Sequence, residues 1–253
     1  MLSERIKRWR HVFKLDPNRR LSDKALEWIC QSGTDAIIVG GTDGVTYENT
    51  NQLLDRLRNY SVECIQEIST TEAVVLGFDG YLIPMVLNTD NPYWIKGAHF
   101  EVMKKVGQWI PWDLLAVEGY IILNPDSKVA KLTESHTEVD DPSMIAYGRM
   151  TEKLFHLPIC YVEYSGMYGD VSKVEAAKVG LEKTRLFYGG GISNEEQART
   201  MAQHADTVVV GNLVYRNIEQ AVETVKWVKK ERMGWQEQQL ESLLHHLRKN
   251  REG

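Results

Sequence analysis

Apolar residues gather in eight short, β-branched runs, at residues 11–15, 36–40, 62–67, 80–87, 115–123, 158–164, 185–188 and 207–211. Most of these runs do not alternate strictly between apolar and polar positions, as expected of parallel strands buried on both faces. Between most of them, apolar residues recur every three or four positions, which predicts helices. In residues 21–30, Leu21, Ala25, Trp28 and Ile29 share a face; Ser22 is placed to cap the start, and Gly33 to end the segment. Leu53, Leu54 and Leu57 mark a second helix. Residues 172–179, 194–203 and 218–229 predict helices after runs six, seven and eight. Strands and helices in this alternation predict an α/β fold, a (β/α)8 TIM barrel.

One connection breaks the rhythm. Residues 69–79, between runs three and four, are too few for a loop, a helix and a second loop. The spacing predicts a degenerate or missing third helix, or an extended segment, and with it a groove along the barrel wall. A short, tightly packed helix is the competing reading. At the other end, Leu240, Leu243, Leu244 and Leu247 follow i, i+3, i+4, i+7 spacing, and Arg248, Lys249 and Arg251 come after them. That pattern predicts an extra C-terminal amphipathic helix. The expected organisation is one barrel domain over residues 1–234 and a helical tail over 235–253. The tail either docks on the barrel or a dimer mate, or touches a membrane surface.

Composition fits one globular barrel. The 253 residues are 43% hydrophobic and 26% charged, both usual for this class. No stretch approaches the roughly 20 apolar residues of a membrane span, and the first nine residues lack the apolar core of a secretory signal. Cys30, Cys64 and Cys160 are scattered, which predicts reduced thiols in the cytoplasm. The net charge of −5 offers no broad basic surface to a nucleic acid.

Two segments point to a ligand. Tyr-Gly-Gly-Gly-Ile-Ser-Asn at 188–194 and Asp-Thr-Val-Val-Val-Gly-Asn at 206–212 each end an apolar run in glycine just before a predicted helix. Glycines admit an anion close to the backbone, and helix starts offer N–H groups and a positive dipole end. Two such turns after strands seven and eight form the usual phosphate site of a TIM barrel.

Other side chains face the same mouth. Lys14 and Asp16 stand two apart at the end of strand one and share a face; a lysine and an aspartate there suit an anion and a metal. Strand two ends in Gly40-Gly41-Thr42-Asp43-Gly44, where Thr42 or Asp43 can complete a Mg2+ site. Mg2+ commonly takes one or two carboxylates plus substrate phosphates. In strand six, Tyr161, Glu163 and Ser165 share one face, while Val162 and Tyr164 share the other. A carboxylate pointing into a barrel is costly without a use, which makes Glu163 a candidate acid or base. The seven histidines show no ligand spacing. Asp140-Asp141-Pro142-Ser143-Met144 lacks the last aspartate of a helical D-D-x-x-D metal site.

The segments His11–Pro17, Gly40–Gly44, Tyr161–Gly166, Phe187–Ile192 and Val209–Asn212 together resemble the geranylgeranylglyceryl and heptaprenylglyceryl phosphate synthases, above all the bacterial PcrB branch. The likeness covers about residues 9–230. It implies a TIM barrel that joins sn-glycerol 1-phosphate to a polyprenyl diphosphate as an ether, with Mg2+. It further implies that Lys14 contacts glycerol phosphate and that Asp16 and Thr42 are the Mg2+ positions. Tyr161, Val162, Glu163, Tyr164, Ser165 and Gly166 would hold the glycerol moiety, and Gly191, Gly211 and Asn212 the phosphate. Glu163 is the candidate to orient or deprotonate the hydroxyl. The family's homodimers imply a dimer, and its lipid substrate a peripheral membrane contact.

In relatives using shorter chains, a bulky aromatic on the helix after strand four closes the prenyl groove. Here that stretch is Gly97–Val102. Val102 at the limiting position favours a heptaprenyl (C35) donor, and Phe100 as the block would favour a geranylgeranyl (C20) one. Two other classes share the glycine turns: a phosphosugar isomerase-type barrel, which needs no metal at strands one and two, and a non-catalytic phosphate-binding protein, which does not need both Asp16 and Glu163.

Overall fold

The computed structural model describes residues 1–231, which form an eight-stranded parallel barrel. The strands are β1 (His11–Leu15), β2 (Ala36–Val39), β3 (Glu63–Glu67), β4 (Gly80–Val86), β5 (Leu115–Ile122), β6 (Ile159–Glu163), β7 (Arg185–Gly189) and β8 (Thr207–Val210). Each pairs with the next, and β8 closes on β1 through Val208↔His11 to Val210↔Phe13. Every strand lies within a residue or so of its sequence-predicted run.

The strands are apolar on both faces because they separate two cores. Val12, Ile38, Ile65, Leu82, Ile122, Tyr161, Phe187 and Val209 fill the barrel. Phe13, Leu15, Ile37, Val39, Val162, Leu186, Val208 and Val210 pack outward against the helices. Neighbours in sequence therefore belong to different cores, as the two-residue period of a strand requires.

The helices are α1 (Leu2–Ile6), α2 (Asp23–Gln31), α3 (Tyr47–Leu57), α4 (Ala98–Val106), α5 (Lys128–Thr133), α6 (Asp141–Arg149), α7 (Val171–Val179), α8 (Glu195–His204), α9 (Leu213–Arg216) and α10 (Ile218–Lys230). Ser22 caps α2 as expected, accepting from the Ala25 N–H at 3.2 Å. Gly33 follows in the left-handed region at φ +83. Asp140 caps α6 by accepting from the Ser143 N–H at 2.9 Å, so that Asp-Asp pair starts a helix. Short α1 had no readable period, yet Leu2, Ile6 and Trp9 join the interior core and plug one end of the barrel.

Between β3 and β4 the chain makes only one 3-10 turn, Thr71–Ala73. Gln66 substitutes for a helix there: its side-chain amide donates to the Ala73 carbonyl (2.7 Å) and its oxygen accepts from the Val75 N–H (3.0 Å). The degenerate third helix and the groove beside it are both present. Across the groove stands α4, which has no buried residue. Residues 235–253, including the tail helix expected from sequence, lie outside the described residues. Among the described residues no helix is long and apolar enough to cross a membrane, and the three cysteines are free.

Candidate active site

The barrel mouth holds a chain of polar contacts, each made by a residue at the end of a strand. Lys14 on β1 donates to both carboxylate oxygens of Glu67 at the end of β3, 2.7 Å each, and to the Tyr120 hydroxyl on β5 at 3.3 Å. Tyr120 in turn donates to Glu163 Oε2 on β6 at 2.9 Å and stacks on Tyr161, with ring centroids 4.6 Å apart. The Ser165 N–H closes onto the other Glu163 oxygen. Glu67, Tyr120 and Glu163 are buried.

Burial sets the charge states. It raises the Glu163 carboxyl above its ordinary range, against the opposing pull of Lys14, the Ser165 N–H and the Tyr120 hydroxyl. Burial also pulls the Lys14 ammonium down, but Glu67 and Glu163 more than offset it, so the group stays charged. Beneath them lies Glu118, fully buried, with no hydrogen-bond partner for either oxygen among the described residues. Burial, reinforced by Glu67 and Glu163 and opposed by Lys14, pushes its carboxyl well above the ordinary range. The floor thus sets the Lys14 ammonium among three buried acids, Glu67, Glu118 and Glu163.

On the opposite rim, the Asp16 N–H donates to the Tyr215 hydroxyl at 2.8 Å, and Asp16 Oδ1 accepts from the Asn18 N–H at 2.9 Å. Arg19 lies flat on the Tyr215 ring, 3.7 Å from its centroid, and donates to Asn212 Oδ1 at 2.8 Å. The turn after β6 is left-handed at Ser165 (φ +42) and Gly166 (φ +87). A Cβ on Gly166 would come within 2.4 Å of Asn212 Nδ2, and one on Gly191 within 2.4 Å of the Gly166 carbonyl oxygen. Only glycines let these three loops meet.

One cavity of about 890 Å3 joins these groups. Lys14, Asp16, Arg19, Thr42, Glu67, Tyr120, Tyr161, Glu163, Ser165, Gly166, Gly189, Gly190, Gly211 and Asn212 line its polar part. Ile83, Pro84, Val86, Trp94, Val102 and Met103 line the apolar part, which follows the thin wall to α4. Val102 faces the cavity; Phe100 is 63% exposed and is not among the lining residues.

Most of the sequence-predicted residues therefore meet in one place. Val162 and Tyr164 do not present side chains to it, since both pack in the outer core; Tyr164 contributes its N–H to the Gly189 carbonyl at 2.6 Å. Gly191 is a packing residue whose N–H is spent on the Met167 carbonyl at 2.7 Å, and the cavity wall is Gly189 and Gly190. Arg19, Glu67, Glu118 and Tyr120 were missed. The signal for Glu67 and Glu118 was present, as a charged residue inside an apolar run at the parity of its inward neighbours.

Asp16 and Thr42 reach the cavity from adjacent strands. A Cβ on the intervening Gly41 would sit 2.8 Å from Asp16 Oδ1, so the loop leaves that carboxylate approachable. The described residues hold no group of three or more His, Cys, Asp or Glu able to bind a metal. Asp16 and Thr42 offer one carboxylate and one hydroxyl, donors of the kind a hard cation uses when waters and substrate oxygens complete its shell.

A parallel barrel with glycine turns after β7 and β8, a lysine in its mouth and a buried carboxylate beside it defines a class: barrels that handle a phosphorylated ligand at the C-terminal ends of their strands. Within that class the chain belongs to the PcrB family, whose sequence profile matches residues 4–229. A heptaprenylglyceryl phosphate synthase from Bacillus cytotoxicus is 53% identical over 226 residues, 89% of this chain and 99% of that protein. One from Bacillus cereus is 54% identical over the same share of each chain. Among solved structures, (S)-3-O-geranylgeranylglyceryl phosphate synthase from Thermoplasma acidophilum, in complex with sn-glycerol-1-phosphate, superposes with TM-score 0.79. It covers 90% of this chain and 97% of its own at 19% identity, a likeness of fold.

Proposed function

We propose that this protein is a prenyltransferase that forms an ether between sn-glycerol 1-phosphate and a long polyprenyl diphosphate, heptaprenyl favoured, with release of diphosphate. The observation that carries the reading is the single cavity. It sets a buried carboxylate, held by Tyr120 and the Ser165 N–H, between a glycine-lined polar end and an apolar end along the open wall. The names of the relatives, and glycerol phosphate in the structural neighbour, fit the same two substrates.

In this reading glycerol phosphate sits with its phosphate toward Gly190, Gly211 and Asn212 and near the Lys14 ammonium. Glu163 accepts the proton of the free hydroxyl as its oxygen bonds to the allylic carbon, and the C1–diphosphate bond breaks. Tyr120 donates to Glu163, which favours its charged form and aims it. Holding the hydroxyl in place supplies much of the rate advantage. Asp16 and Thr42 would hold Mg2+, which supplies charge neutralisation for the departing diphosphate. We further infer a homodimer working in the cytoplasm, at the membrane periphery where its donor resides. Transfer of glycerol phosphate onto heptaprenyl diphosphate by the purified protein tests the reading directly.

Two consequences are local. Because burial raises the Glu163 carboxyl, the rate should fall with decreasing pH above the range of an ordinary carboxylate, as the base is protonated. Tyr120→Phe removes a donor that favours the charged form. The acid limb of the kcat profile should then move to higher pH, with the KM for glycerol phosphate little changed; an unmoved limb contradicts the role given to Tyr120. At the apolar end, Val102→Trp fills the cavity beside α4. Its expected outcome is a loss of at least about tenfold in kcat/KM for the C35 donor with the C20 donor spared, a discrimination within what a filled apolar pocket gives.

A further inference from the structure

Helix α4 divides its residues between two environments. Ala98, His99, Val102 and Met103 line the cavity. Phe100 and Lys104, four apart and so on one side of α4, and Lys96 in the turn just before it, are exposed and line nothing. The chain then passes through two exposed indoles, Trp109 (70% exposed) and Trp112 (59%), while Tyr93 (51%) stands at the cavity rim. Single exposed apolar residues need no explanation, but four large aromatics exposed within residues 93–112, one of them at the cavity rim, do.

Their chemistry selects one occupant. Tyrosine and tryptophan rings favour the head-group level of a bilayer, and lysines beside them attract anionic lipid. Of the acids in the segment and next to it, Glu101 lines the cavity and Asp113 follows Trp112. Lys96 and Lys104 thus leave the outward side of the helix positive. We propose that residues 93–112 are a docking surface for a bilayer containing anionic lipid, seating the apolar end of the cavity against the membrane. A long prenyl chain then passes from lipid into the cavity without crossing water. The surface rests on the prenyl-transfer reading for its purpose, but its test does not depend on that reading.

The test is flotation of the full-length protein with phosphatidylcholine vesicles, with and without added phosphatidylglycerol. The wild type should float with the anionic vesicles and be released by salt. Phe100→Ser/Trp109→Ser/Trp112→Ser should lose binding by about tenfold or more, and Lys96→Glu/Lys104→Glu should lose the preference for anionic lipid. Both variants should keep wild-type thermal stability and turnover on a short, water-soluble allylic diphosphate, because none of the five residues lines the cavity. Unchanged flotation of the triple variant overturns the proposal. So does a change from dimer to monomer by light scattering, which would give the surface to a second copy of the chain. If vesicle binding tracks this surface while no donor is ever transferred, docking stands and the prenyl-transfer reading falls.

Discussion

Glu163→Gln should lower kcat by about two to four orders of magnitude, the usual contribution of a positioned general base. The amide keeps the shape of the side chain. It can still accept from the Tyr120 hydroxyl, which donates at 2.9 Å in the native protein. What it cannot do is take a proton. Glycerol phosphate should therefore bind with nearly native affinity, since the glycine turns and Lys14 are untouched, and calorimetric titration separates that from the lost rate. The variant should also shed the acid limb assigned above to Glu163. A Glu163→Gln protein with near-native turnover removes this residue from the chemistry. It would leave the arrangement around it as packing alone.

Lys14→Met has the second large effect, and it acts on both stability and binding. The native ammonium is 2.7 Å from each oxygen of Glu67, and both side chains are mostly buried. Removing one partner of a buried pair commonly costs about 3–5 kcal/mol, because the other charge is left uncompensated. Here the lower end is expected, since Glu67 lines the cavity and is not sealed from water. For a domain of this size about 3 kcal/mol corresponds to a fall in Tm of roughly 6–12 °C. Lys14→Met/Glu67→Gln should recover most of that stability, since no unpaired charge remains. It should not recover the affinity for glycerol phosphate. Recovery of both by the double variant would show that Lys14 serves only to neutralise Glu67.

The strands were readable because each is a short, β-branched run confined between two cores, so no polar face interrupts it. The missing third helix was readable from length, since residues 69–79 leave no room for one. Helix α1 was not: five residues cannot display a helical period, and the burial of Leu2 and Ile6 follows from where the barrel end happens to lie. In the site, Lys14, Asp16 and Glu163 stood out because two-residue alternation turns them inward at strand ends. Glu67 carries the same inward pattern at the end of β3, but its pairing with Lys14 cannot be read from sequence; Tyr120 did not stand out, because its importance lies in contacts across the barrel that join β5 to both β1 and β6, and sequence distance conceals that. The triple glycine was legible as a special turn but not glycine by glycine. Gly191 is required for the packing of its loop on Gly166, whereas Gly189 and Gly190 form the wall.

In the proposed reaction one cavity brings a small phosphorylated alcohol and a long allylic diphosphate together. The most direct measurement offers the purified protein sn-glycerol 1-phosphate and Mg2+ with equal amounts of C35 and C20 diphosphates, and identifies products by mass. The expected product is an ether of glycerol phosphate, chiefly the heptaprenyl one, with one diphosphate released per ether and no product once the metal is chelated. Absence of any ether, or diphosphate released without one, contradicts it.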